Sequence, residues 1–182
     1  DQNYLKQIQV NVDHLDAFGY LFQKTNLQIK PRNNTWDIGV KGKEIAGKIH
    51  LPKNEGAIDL AFETLNLISL EKLLDRDNAK KPETSEDIDP RGLPELIFSA
   101  DKLYLDNRLI GSWRFNLEPN ISGSKFKDIK GHIKGNNITG QLNWRYSKEH
   151  QNTVATFDML GGDISALFEA FDMPTLMTSN KY

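Results

Sequence analysis

The side chains best suited to chemistry are scattered through this sequence rather than gathered. The four histidines, His14, His50, His132 and His150, fall on separate predicted strands or turns, and no two have the spacing of metal ligands. They read as surface histidines. Asp75, Asp77 and Asn78 begin like a calcium loop, but Lys80 stands at the sixth position, where such a loop needs glycine. There is no nucleophile elbow, no glycine-rich phosphate loop and no His-Glu pair at helical spacing. Gly161 and Gly162 precede a helical pattern whose N-terminus would attract an anion, yet two glycines read more simply as a turn. Because no nucleophile and base keep company, neither enzymatic activity nor a catalytic residue, metal or cofactor is expected.

Composition narrows the partners. The 182 residues carry 23 basic and 25 acidic side chains, so no excess of positive charge is available for phosphate backbones, and nucleic acid is not an expected partner. The absence of cysteine excludes disulfides and thiolate zinc sites. No apolar run approaches the roughly 20 residues of a membrane helix, and the chain opens on Asp1 with no signal-like segment. It therefore reads as a piece of a longer protein, with any anchor or export signal outside it.

Strict alternation of apolar and polar residues dominates the sequence and predicts half-buried β-strands. Five are expected near 4–15, 20–30, 36–41, 44–51 and 57–67, and five more near 95–105, 108–117, 125–133, 137–146 and 153–159. Pro31, Asn33, Gly42, Pro52 and Gly56 punctuate the first set, and such short connections imply antiparallel neighbours. The two sets align. Ile8, Val10, Val12 and Leu15 lie 88 residues before Leu96, Phe98, Ala100 and Leu103, whereas Gly47, Ile49 and Leu51 lie 93 before Gly140, Leu142 and Trp144. A longer turn around Gly135 and Asn136 in the second copy is the expected cause of the larger offset.

An apolar spacing of two, two, three recurs at Ile8 to Leu15, Ile58 to Leu65 and Leu96 to Leu103; the step of three shifts the parity, so each strand either bends through a bulge there, the favoured reading, or ends its regular pleat. Each set ends in a helical pattern. Asp163 can cap Ile164, Leu167, Phe168 and Phe171, and Ser69 more weakly caps 68–74. Both helices are expected to plug one end of the sheet. From Asp75 to Pro90 the chain is mostly charged and should form a mobile loop. The expected organisation is thus a first repeat at 1–74, a charged flexible loop at 75–94 and a second repeat at 95–182.

Trp36, Trp113 and Trp144 share the apolar parity with Phe62, Phe98 and Phe115. Ten strands with one greasy face must hide it, by folding into a sandwich or barrel or by curving round something apolar that is not protein. Residue patterning alone leaves both open.

A family resemblance bears on that choice. The stretch Asp89-Pro90-Arg91-Gly92-Leu93-Pro94, then Leu109-Ile110-Gly111 to Leu117-Glu118-Pro119, then Gly140-Gln141-Leu142-Asn143-Trp144, is similar to the AsmA-like family of Gram-negative envelope proteins. The earlier runs Trp36-Asp37-Ile38, Ile45-Ala46-Gly47 and Ile49-His50-Leu51-Pro52 are similar to the family's preceding segment, so the likeness spans nearly the whole chain. The resemblance implies a mainly β fold, two repeats of about five antiparallel strands plus a short helix, in a strongly curved open sheet (a taco-like groove) with an apolar interior. It implies a periplasmic section of an inner-membrane-anchored conduit that shields phospholipid acyl chains between the inner and outer membranes, flanked by neighbouring β-groove repeats. Its lining would comprise Ile8, Val10, Val12, Leu27, Ile29, Ile38, Val40, Ile49, Leu51, Ile58, Leu60, Phe62, Phe98, Trp113, Phe115, Leu117, Phe126, Ile133, Leu142 and Trp144. A structural or assembly scaffold with a closed β core is the alternative.

Overall fold

The computed structural model describes residues 6–17, 20–68, 89–146 and 151–170. These form ten strands: β1 (Ile8–Ala17), β2 (Tyr20–Pro31), β3 (Thr35–Lys41), β4 (Ile45–Pro52), β5 (Ile58–Leu67), β6 (Leu96–Leu105), β7 (Arg108–Asn120), β8 (Gly123–Ile133), β9 (Asn136–Tyr146) and β10 (Gln151–Gly161). They build one sheet in chain order, as short connections demand, and β1 and β10 do not pair with each other. The sheet is therefore open and mainly antiparallel. All but Ile68 of the expected helix over 68–74, including its Ser69 cap, and Asp75, Asp77, Asn78 and Lys80, most of the charged loop, His150 and Phe171 lie outside the described residues.

The two five-strand sets meet edge to edge. β5 and β6 pair in parallel, from Ile58 opposite Leu96 to Leu67 opposite Leu105, while every other neighbour is antiparallel. A parallel pair cannot be closed by a tight turn, so a long crossover between 68 and 95 is needed here and nowhere else.

The larger offset in the second set has a different origin from the one expected. The turn between β8 and β9 is Lys134-Gly135, shorter than Gly42-Lys43-Glu44 between β3 and β4. The additional residues lengthen the arms instead: β8 and β9 stay paired from Phe126 opposite Leu142 down to Ile133 opposite Asn136. In the first unit Ile38 opposite Ile49 is followed only by pairs down to Lys41 opposite Ala46. The register also shifts between Phe126 and Ile129, where Asp128 adopts φ +51°.

The two-two-three spacing maps onto register shifts in β5, where Thr64 follows Phe62 in the ladder, and in β6, between Ala100 and Leu103. In β1 the expected bulge is absent: its register with β2 is unbroken, and the parity change is taken up opposite Asp13 by Lys24, at φ +47°. A residue in left-handed backbone reverses the facing of those beyond it without adding one to the ladder. Phe22, two residues before Lys24, accordingly faces the apolar side, and Leu15 pairs opposite it.

That side is packed most densely at one end of the strands. Phe22, Val40, Ile45, Phe62, Leu65, Ala100, Leu103, Ile110, Ile133 and Ile138 form a single buried cluster. Asn136, with 0% exposure, donates from Nδ2 to the Ile133 carbonyl at 3.3 Å and to the Asp163 carbonyl at 3.1 Å. The short helix α1 (Ser165–Ala170) follows, its first N–H accepted by Asp163 Oδ1 at 2.9 Å, and Glu169 pairs with Lys134 at 3.0 Å. The terminal helix thus sits at the β8–β9 turn and closes this end.

Candidate functional site

Pairing registers turn the alternating sequence into continuous apolar rows. One runs Ile8, Ile29, Ile38, Ile49, Leu60, Phe98 and Phe115 across β1 to β7. A second runs Val10, Leu27, Val40, Gly47, Phe62, Ala100, Trp113, Gly131, Ile138 and Met159 across all ten strands. A third passes through Leu96, Leu117, Phe126, Leu142 and Ala155 in the second unit, with Ile58 opposite Leu96, and Trp36 opposite Leu51 in the first. Val12 follows Val10, Ile133 follows Gly131 and Trp144 follows Leu142 at a spacing of two, so all twenty expected lining residues share one face.

Their exposure divides them. Val40, Phe62, Leu117 and Ile133 are buried, and Ile133 retains only 1%. Ile29, Ile38, Ile49, Leu51, Ile58, Leu60, Phe98, Trp113, Phe115, Phe126, Leu142 and Trp144 are half-buried, as are Val12 and Leu27, and Ile8 and Val10 at the β1 edge are exposed. The face is therefore a packed floor along one side and an uncovered apolar surface along the other. No closed barrel interior would leave so many large side chains partly open in adjacent rows.

The uncovered surface changes character along its length. Apart from Trp36 at its rim, the first unit contributes aliphatic side chains up to β5, and from Phe62 onward an aromatic ladder takes over. Phe62 and Phe98 have ring centroids 6.1 Å apart, Phe98 and Phe115 stack at 4.7 Å, and Phe115 and Phe126 lie at 5.3 Å. Glycines receive bulky neighbours: a Cβ on Gly131 would meet the Trp113 ring at 2.7 Å, and one on Gly47 would meet Phe62 Cδ1 at 2.8 Å. At these positions an aromatic ring takes the space that a side chain would fill on the neighbouring strand.

A 3-10 turn at Pro90–Gly92 covers one rim of the second unit. Pro90 is buried, its carbonyl accepts from Ser124 Oγ, and the Arg91 guanidinium lies 4.8 Å from the Tyr146 ring centroid. Ser124 and Tyr146 have the inward parity of Phe126 and Trp144, so this turn crosses the apolar face itself. In the first unit the same rim has Lys53 Nζ 5.2 Å from the Trp36 ring centroid, held by the Arg32 and Asn33 carbonyls. Sequence reading assigned no role to either pair, because cation and ring lie far apart in the chain.

The opposite face is polar. His50 Nδ1 and Arg32 Nε each lie 2.9 Å from an Asp37 oxygen, and hydrogen bonding to His50 first and Arg32 second holds the Asp37 carboxyl below its ordinary value. At the rim, the Arg91 side chain and then its N–H lower Asp89 in the same way. His14, His50 and His132 lie on different strands, and among the described residues no three acidic, His or Cys side chains form a group able to hold a metal. No helix among them is long and apolar enough to cross a membrane.

An open, mainly antiparallel sheet with one continuous apolar face and one polar face makes this a β-groove protein. Within that class the chain matches the YhdP family, described as YhdP protein, over residues 2–182, and it belongs to that family. No curated protein and no solved structure matches it.

Proposed function

We propose that the uncovered part of the apolar face is a trough for phospholipid acyl chains, and that this chain is a periplasmic section of a conduit between the inner and outer membranes. The observation that carries the reading is the set of half-buried apolar rows running unbroken across a sheet that never closes. Two acyl chains of some 16 carbons would cost on the order of 25 kcal/mol to expose to water, at about 0.8 kcal/mol per methylene. A continuous trough avoids that cost, and a fairly uniform apolar lining lets the chains slide. Ten strands at about 4.8 Å provide roughly 50 Å of trough, less than a whole bridge, so the reading requires further β-groove repeats and a membrane anchor elsewhere in the protein.

In this reading no residue does chemistry. The chain acts by excluding water from many small contacts, and neither metal nor cofactor takes part. The buried cluster argues for the alternative scaffold role only along the packed side. The half-buried rows of Ile29, Phe115 and Phe126 have no use in a closed core. Native mass spectrometry of the purified chain tests the proposal: phospholipid-sized adducts that vanish on delipidation support it, and a single bare mass after gentle purification from membranes overturns it.

A further inference from the structure

We propose that Lys53 is a headgroup station on the trough, where its ammonium holds the phosphate of a phospholipid whose acyl chains lie on the apolar rows beside it. The inference rests on the trough reading and adds where along it, and on which rim, the polar end of the lipid is held. Lys53 continues the parity of Ile49 and Leu51, about 6 to 7 Å past the last apolar pair, Trp36 opposite Leu51. Its Nζ lies over the inward Trp36 ring, 5.2 Å from the centroid, and donates to the Arg32 and Asn33 carbonyls. An ammonium has three N–H donors, so one is left. Among the described residues no carboxylate pairs with Lys53, Glu55 of the same turn included, and the Trp36 indole N–H beside it has no acceptor.

Charge singles this corner out. The strand carboxylates nearest the rim, Asp37, Asp59 and Glu118, have the outward parity, so none of them shares the apolar side with Lys53. At the other end of the strands α1 closes the face, and Lys134 is already paired with Glu169 at 3.0 Å. The second unit fills the same rim differently. The counterparts of Trp36 and Lys53, 88 and 93 residues on, are Ser124 and Tyr146. There the buried Pro90 accepts from Ser124, and the Arg91 charge over the Tyr146 ring is balanced by Asp89 at 2.6 Å. One corner is thus open and cationic, whereas its repeat is covered and neutral. The phosphate of a phospholipid must leave the apolar rows at a rim, and Lys53 offers it an uncompensated cation there. A charge-assisted hydrogen bond is also stronger at an apolar boundary than in open water.

Dioctanoyl phosphatidylglycerol and dioctanoylglycerol have the same acyl chains, and only the first has a phosphate. The purified chain is titrated with each, and bound lipid is counted by native mass spectrometry. We expect the phospholipid to bind about fivefold more tightly, Lys53→Met to remove that advantage while leaving dioctanoylglycerol unchanged, and Lys53→Arg to keep it. Lys48→Met, on the polar face of the same strand, removes an equal charge and should change neither affinity. Inorganic phosphate, which has no chains, should not displace the phospholipid at equal concentration. Equal affinity of the unmodified chain for both lipids, or a phospholipid advantage that survives Lys53→Met, overturns the station and leaves the trough standing. Binding of neither lipid overturns both. Loss of both lipids in Lys53→Met would make Lys53 a structural contact only, and displacement by inorganic phosphate would make the site one for a free anion; either result also overturns the proposal.

Discussion

Ile133→Ala and Ile29→Ala remove the same atoms from the same apolar face, and the account predicts unequal consequences. Ile133 is 1% exposed within the buried cluster, whereas Ile29 is half-buried and stands outside it. Losing three methyl or methylene groups from a fully buried site costs about 2.4 kcal/mol of transfer free energy at about 0.8 kcal/mol each. The cavity left between Asn136 and the strands adds to this, for a total near 3 to 4 kcal/mol. Ile29 already gives up much of that to solvent and leaves no enclosed void, so its truncation should cost about 1 kcal/mol. With a urea m-value of about 2 to 3 kcal/mol/M, the unfolding midpoint should fall by more than about 1 M for Ile133→Ala and by less than about 0.5 M for Ile29→Ala. Retention of lipid should show the reverse order. Equal shifts in midpoint would refute the division of the face into a packed floor and an open trough.

Phe115→Arg places a charge in the middle of the aromatic ladder, and the sheet should keep its strand circular dichroism while copurified lipid falls several-fold; collapse of the fold would point to a closed core. Asn136→Ala removes the donor to the Ile133 and Asp163 carbonyls, which should cost about 2 kcal/mol and lower the melting temperature by about 4 to 8 °C by calorimetry. Hydrogen bonds from His50 and Arg32 hold the folded Asp37 carboxyl below its ordinary value, so its contribution is present above that ordinary value and disappears as pH falls through the lower folded one. Asp37→Asn should therefore be less stable than the unmodified chain at neutral pH and equal to it in strong acid, as measured by urea midpoints against pH; a difference that grows toward acid would contradict the assignment.

Much of this architecture is legible in the residues. Alternation locates all ten strands, because a half-buried strand needs apolar side chains on every second residue, and Asp163 marks the start of the last helix. The 88-residue match between Ile8 and Leu96 likewise reports a true spatial correspondence, since both open the first strand of a unit. What alternation cannot convey is any change of facing inside a strand. Phe22 and Ile110 belong to the buried cluster but lie on the opposite parity from Leu27 and Trp113 in their own strands. Lys24 at φ +47° and Gly111 at φ +94° produce the switch, and only the glycine gave a signal. The parallel join between β5 and β6 also escaped the sequence, because pairing direction across a long connection is decided by what the two edges bury together. The division between buried floor and open trough depends on burial from several strands at once, which no single strand's pattern records.

The central claim concerns which face meets lipid, and a photo-crosslinking residue placed in turn at Ile49, Phe115 and Arg114 asks that most directly. Ile49 and Phe115 lie in one apolar row, whereas Arg114 is the outward neighbour of Phe115 and is exposed. Irradiation in membrane-derived material should attach phospholipid at Ile49 and Phe115 and not at Arg114. Equal labelling at all three positions, or labelling at Arg114 alone, would contradict the trough.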